Sequence, residues 1–120
     1  MWRIKKSLLL DAINSAQRYM PTEFICFLGG DRKKEYVEEI VFLPSNTSET
    51  SASIDEYSMP IDDTIIGSLH SHPFSTNHPS RQDKKFFSKY PLNLVLGYPY
   101  SIESIGFYDQ KGEKVIVLLE

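Results

Sequence analysis

The chain has 120 residues, of which 41% are hydrophobic and 24% are charged, and its formal net charge is -3. This length suits one domain with its own hydrophobic core, so residues 1–120 are predicted to form a single domain, while the missing basic stripe argues against a nucleic-acid partner. Cys26 is the only cysteine, which excludes an intrachain disulfide, and no signal peptide or membrane span is recognisable, so a cytoplasmic protein is expected.

The first predicted element is an amphipathic helix over residues 6–19. Leu9, Ile13 and Ala16 recur with helical spacing and form an apolar stripe. Pro21 follows and ends the helix, because proline lacks the backbone N–H that a continuing helix needs.

Two strands are predicted next, and they are expected to pair as a hairpin. The first covers residues 23–30 with its turn at 29–31, and the second covers residues 36–43 and stops at Pro44. The polar, serine- and threonine-rich stretch that follows predicts a loop that contains a short edge strand at 52–55.

A third strand is predicted to begin with the apolar residues 65–69 and to end at His70 and His72. Side chains two residues apart in a strand lie on the same face, so both imidazoles can bind one ion. Pro73 and Pro79 bracket a loop that cannot continue the strand.

A second helix is predicted over residues 80–90. Asp83 then falls in its first turn, where the helix dipole favours a carboxylate. Two histidine nitrogens and one carboxylate oxygen, with a fourth position left open, are the ligand set of a catalytic zinc site.

Three further strands are predicted over residues 93–98, 102–108 and 114–119, with a turn at 109–112 between the last two. The order of elements indicates an α/β fold in which two helices flank a mixed, largely antiparallel central sheet.

The histidines belong to a longer pattern: His-x-His, seven residues, Ser80, two residues, Asp83. With Glu23 upstream, ahead of an apolar run, this pattern resembles the JAMM (MPN-plus) zinc metalloprotease family, in particular its small prokaryotic members. The resemblance covers nearly the whole chain and implies the MPN (cytidine-deaminase-like) fold.

The resemblance also implies a role for each residue of the pattern. His70, His72 and Asp83 would bind zinc, Glu23 would act as general base, and Ser80 would stabilise the tetrahedral intermediate with a hydrogen bond. Ser80 and Asp83 also form a helix-capping pattern, and both roles can hold at once.

The implied activity is hydrolysis of a peptide or isopeptide bond after the C-terminal glycines of a ubiquitin-like modifier, as in deubiquitinases, or of a sulfur-carrier protein. Tyr57 and Met59 are predicted to lie near the groove for those glycines, and Asn77 and His78 on the side of the leaving group. His78 is otherwise an exposed loop residue.

Two other functions are compatible with the pattern. One is a zinc hydrolase of small peptides or of amino acids joined to a carrier, and the other is a non-catalytic MPN module that only binds partners. The sequence leaves the oligomeric state open.

Overall fold

The computed structural model describes residues 1–42 and 63–120, and these ranges contain seven strands and two α-helices. In chain order they are β1 (Trp2–Ile4), α1 (Lys6–Tyr19), β2 (Ile25–Asp31), β3 (Tyr36–Val41), β4 (Ile65–His72), α2 (Arg81–Phe87), β5 (Leu92–Gly97), β6 (Ile105–Tyr108) and β7 (Val117–Leu119). The predicted edge strand at 52–55, Tyr57 and Met59 lie outside the described ranges.

All seven strands belong to one sheet, in the order β6-β5-β4-β2-β3-β1-β7. The pairings β6–β5, β4–β2 and β2–β3 are antiparallel, and β5–β4, β3–β1 and β1–β7 are parallel. The α/β class with a mixed sheet and two helices is therefore confirmed. β4, the strand that ends in the two histidines, is paired on both sides.

Helix α1 covers the predicted residues and buries the predicted stripe. Leu9, Ile13 and Ala16 pack with Ala12 into the main core, and full burial of a leucine or isoleucine side chain contributes about 1.5–3 kcal/mol. No helix in residues 1–42 and 63–120 is long and apolar enough to cross a membrane.

The turn predicted at 29–31 is wrong, because β2 continues through both glycines to Asp31. The register with β3 shifts between Gly29 and Gly30, and Gly30 lies so close to the carbonyl of Tyr36 that a side chain would collide with it. The glycine therefore permits a bulge. The turn follows at residues 32–35, where Asp31 Oδ1 accepts the N–H groups of Lys33 and Lys34.

Helix α2 is shorter than predicted and ends at Phe87 instead of residue 90. The next residues form tighter turns, in which Tyr90 N donates to the Phe87 carbonyl at 3.0 Å. The side-chain amide of Asn93, on β5, donates to the carbonyls of Phe87 and Tyr90. A buried side chain from the sheet thus donates hydrogen bonds to carbonyl groups at the C-terminal end of the helix and just beyond it.

The C-terminal strands also differ from the prediction. Residues 102–104 form a 3-10 helix, so β6 begins at Ile105, and β7 begins at Val117. The predicted turn at 109–112 is present. Strand β7 pairs with β1, a strand that the sequence analysis did not predict. A three-residue strand carries too short an alternation of buried and exposed side chains to be recognised.

Candidate metal centre

The two histidines lie at the end of β4, where both neighbouring strands fix the backbone. His70 is opposite Ile25 of β2 and beside Val95 of β5. The centroids of the two imidazole rings are 5.1 Å apart with the planes inclined by 57°, so both rings occupy the same face as predicted. His70 is buried, and the ring of Phe87 lies behind it at 6.0 Å.

Asp83 reaches the histidines from the first turn of α2. Ser80 is the N-cap of this helix: its Oγ accepts the Asp83 N–H at 3.1 Å, and its own N–H donates to Asp83 Oδ2 at 2.8 Å. This reciprocal capping box holds the carboxylate in one orientation. The capping interpretation of Ser80 is therefore confirmed.

The three side chains converge on one point. His70 Nε2 is 3.1 Å from Asp83 Oδ1, and His72 Nε2 is 3.2 Å from Asp83 Oδ2. The ligand atoms of the three residues all lie within 4.8 Å of one another. Such spacing suits a single cation placed between two nitrogens and one oxygen.

The charges of the site are strongly coupled. Burial alone would raise the pKa of Asp83, but its contacts with the two imidazoles outweigh burial and place the pKa well below its usual range. The hydrogen bond with Asp83 raises the pKa of His72 by more than burial lowers it, and the negative charge of Glu23 adds to the rise. The centre therefore favours positive charge, which either protons or a cation can supply.

One atom of the centre tests whether a metal fits. His70 Nε2 is buried and, despite its closeness to Asp83, makes no hydrogen bond with any described residue. A buried nitrogen without a hydrogen bond is costly. A zinc ion would accept its lone pair and remove that cost, so the residues present fit the metal.

Glu23 lies just before β2 and is half-buried, not at the start of a buried strand as predicted. The β2–β4 ladder continues past Ile25, because Phe24 N donates to Ser71 Oγ at 2.8 Å and Ser71 N donates to the Phe24 carbonyl at 2.9 Å. The same register puts Glu23 opposite His72, and directly opposite residues share a face of the sheet.

The remaining predicted residues lie in the loop between β4 and α2. His78 is exposed, and Asn77 is half-buried, with its carbonyl accepting the Tyr108 hydroxyl at 2.7 Å. Neither is among the residues that converge with Asp83.

Two groups near the centre were not predicted. The Thr76 carbonyl lies 2.9 Å from His72 Nδ1, and a backbone oxygen carries no signature in a sequence. Tyr100 has a left-handed backbone (φ 66°), and its buried hydroxyl has no hydrogen-bond partner among the described residues. Burial raises the pKa of Tyr100, Ser71 lowers it and the negative charge of Glu23 raises it further.

Comparisons with known proteins show which family this chain belongs to. The family model for prokaryotic homologs of the JAB domain matches residues 5–108. A relative from Haloferax volcanii, described as a probable metalloprotease, is 28% identical over 111 residues, which cover 85% of this chain and 69% of the relative.

Solved structures are similar over the whole fold. One, described as JAMM, a metalloprotease-like zinc site in the proteasome and signalosome, has a TM-score of 0.78 and 26% identity, and the match covers 100% of this chain and 98% of the other. A JAB1/MPN domain protein from Archaeoglobus fulgidus has a TM-score of 0.76 and 29% identity, with 98% and 97% covered.

Proposed function

Because this chain belongs to the prokaryotic homologs of the JAB domain, within the JAMM family that its motif resembles, we propose that it is a zinc-dependent peptidase. The bond cleaved would be the peptide or isopeptide bond after the C-terminal glycines of a ubiquitin-like modifier or sulfur-carrier protein. His70, His72 and Asp83 would hold the zinc ion.

The observation that carries this proposal is the convergence of three ligand atoms within 4.8 Å, one of them a buried nitrogen without a hydrogen bond. Three protein ligands leave a coordination position open, which distinguishes catalytic from structural zinc sites. A non-catalytic module would have no need for such a set beside a carboxylate at the position of Glu23.

Zinc bound here would polarise a carbonyl and lower the pKa of a water molecule to about 7. Glu23 shares a face of the sheet with His72 and would accept the proton of the attacking water, then return it to the leaving amine. A half-buried carboxylate beside the ligands keeps the proton within the site between these two transfers.

Ser80 would stabilise the transition state. Its Oγ accepts the Asp83 N–H in the helix cap, which leaves the hydroxyl hydrogen free to donate. A donor directed at the developing oxyanion contributes roughly 2.7–4 kcal/mol in comparable sites. The same side chain would therefore orient Asp83 and stabilise negative charge on the substrate.

The test is cleavage of a ubiquitin-like protein joined through its Gly-Gly end to a lysine, by zinc-loaded parent and Glu23→Gln. The variant should retain the zinc affinity of the parent and lose about 100- to 10,000-fold in rate, the range that general acid–base catalysis supplies. Glu38→Gln, at an exposed position on β3, is the matched control and should cleave like the parent.

The outcomes separate the parts of the proposal. Parent-like cleavage by Glu23→Gln would refute Glu23 as base. Zinc binding without cleavage of the conjugate, but with cleavage of a dipeptide, would refute the ubiquitin-like substrate in favour of small peptides. A parent protein that binds no zinc would overturn the proposed function as a whole.

A further inference from the structure

The loop that joins β4 to α2 is held by hydrogen bonds from a residue just after β5 and from a residue on β6. Tyr98 N, just beyond β5, donates to the Ser75 carbonyl at 3.0 Å, and the Tyr108 hydroxyl of β6 donates to the Asn77 carbonyl at 2.7 Å. These two bonds bracket Thr76. We call residues 73–79 the clamped loop.

Gly97, the last residue of β5, lets the clamped loop approach this closely. A Cβ atom at this position would lie 2.7 Å from Asn77 N and 2.9 Å from the carbonyl carbon of Thr76. Both neighbours are backbone atoms and cannot rotate away. The loop therefore rests directly on the end of β5, and its carbonyl groups are held in a defined direction.

One of those carbonyls determines the state of His72. The Thr76 oxygen lies 2.9 Å from His72 Nδ1 and can only accept a hydrogen bond, so Nδ1 must carry the proton. In the neutral ring Nε2, 3.2 Å from Asp83, then keeps the lone pair that a metal ion would take up. Without a metal, the Asp83 carboxylate competes for a proton at Nε2. Partners of this kind fix the tautomer and ring orientation of histidines that bind metals.

We propose that Tyr108 is a positioning residue for His72: its hydroxyl holds the clamped loop so that the Thr76 carbonyl selects the form of His72 that can bind zinc through Nε2. This inference rests on the proposed function in so far as the metal is zinc. It adds to the metal centre a residue on β6, a strand that the motif does not include and that lies three positions from β2 in the sheet.

Packing alone does not account for the tyrosine. Its ring is buried and stacks on Phe87, with centroids 5.9 Å apart and planes inclined by 22°. A phenylalanine would serve that contact equally well. Within the Tyr108 side chain, the hydroxyl is the group that hydrogen-bonds to the clamped loop. Tyr108→Phe therefore removes this bond and leaves the packing of the ring in place.

The experiment compares zinc affinity, by competition with a chromophoric chelator, in the parent, Tyr108→Phe and Tyr90→Phe. Tyr90 is also buried and packs on Phe27 and Phe86, so its variant is the matched control. Tyr108→Phe should bind zinc about 10-fold more weakly, the lower end of the effect of losing an outer partner of a metal ligand. Tyr90→Phe should bind like the parent.

A second comparison tests whether the effect passes through His72. In a His72→Ala background, Tyr108→Phe should leave the remaining zinc affinity unchanged, whereas a general loosening of the fold would lower it again. Parent-like affinity of Tyr108→Phe, or an equal loss in both backgrounds, would overturn the inference.

A spectroscopic measurement keeps the inference testable if the parent binds no zinc and the proposed function fails. Nitrogen-15 shifts of the metal-free protein, recorded where His72 is neutral, report which ring nitrogen is protonated. We expect the Nδ1–H fraction to be the same in the parent and in Tyr90→Phe, and to decrease in Tyr108→Phe, where the acceptor at Nδ1 is no longer held in place while Asp83 still accepts at Nε2. An unchanged tautomer ratio in Tyr108→Phe would refute the clamp.

Discussion

Removing the side chain of Asn93 should destabilise the protein strongly, because this fully buried amide connects β5 with β4 and the end of α2. Its Oδ1 accepts the Ser68 hydroxyl at 2.7 Å, and its Nδ2 donates to the carbonyls of Tyr90 at 2.9 Å and Phe87 at 3.2 Å. The Phe87 carbonyl keeps a second donor, the Tyr90 N–H. Asn93→Ala therefore strands two buried groups, the Ser68 hydroxyl and the Tyr90 carbonyl.

Each stranded group costs about 1–3 kcal/mol, so we expect Asn93→Ala to lower the free energy of unfolding by about 4 kcal/mol. Ser68→Ala strands only Asn93 Oδ1 and should cost about 2 kcal/mol. In the double variant the Ser68–Asn93 bond loses both partners at once. Neither the Ser68 hydroxyl nor Asn93 Oδ1 is then stranded, so its cost should fall short of the sum by about 2–3 kcal/mol, near the top of the range found for residues in direct contact.

Equilibrium unfolding in urea, with a chelator present to remove metal, measures all three variants. Asn14→Ala, at an exposed position on α1, is the control and should change stability by no more than about 0.6 kcal/mol. A cost below about 1 kcal/mol for Asn93→Ala, or strict additivity in the double variant, would refute the reasoning.

Two further predictions concern the centre. Ser80→Ala removes the acceptor of the Asp83 N–H and should lower the free energy of unfolding by about 1 kcal/mol, as thermal unfolding can measure; Gln82→Ala, at an exposed position inside α2, is the control and should change stability little. The metal-free protein should lose stability as the pH rises above about 6.5, because the pKa of His72 is raised in the folded state, so its contribution is complete below the unfolded value and disappears as the pH passes the folded one. The lowered pKa of Asp83 acts the other way: its contribution is present above the unfolded pKa of 3.8 and is lost as the pH falls below that value. Urea midpoints from pH 2 to 9 test both directions; a flat profile between pH 6 and 8 would contradict the first.

The convergence of the three candidate metal ligands could be predicted because it is local. His70, His72 and Asp83 fall within one strand–loop–helix unit, where the period of the strand and the capping pattern of the helix fix their directions. The family resemblance added Glu23, whose position opposite His72 follows from the strand register. Helix α1 was predictable for a similar reason, since its apolar stripe from Leu9 to Ala16 is periodic over about two turns.

What the sequence could not predict depends on contacts between distant segments. Gly29 and Gly30 are as typical of a bulge as of a turn, and only the partner strand decides between them. The Thr76 carbonyl has no side-chain signature, and Tyr100, in the connection after β5, and Tyr108, on β6, belong to segments that the motif does not include. Strand β1 has too few residues to be recognised without β7.

The pairing of β1 with β7 affects how the protein can fold during synthesis. Strand β1 contacts β3 through a single residue pair, Arg3 with Tyr36, but it pairs with β7 along its whole length, from Trp2–Val117 to Ile4–Leu119. The ribosome makes β1 long before β7, so this edge of the sheet cannot close until β7 has been synthesised. The hairpin of β2 and β3 can form as soon as both strands have been synthesised, so we expect it to fold first. Strand β1 remains accessible to chaperones until β7 emerges from the ribosome.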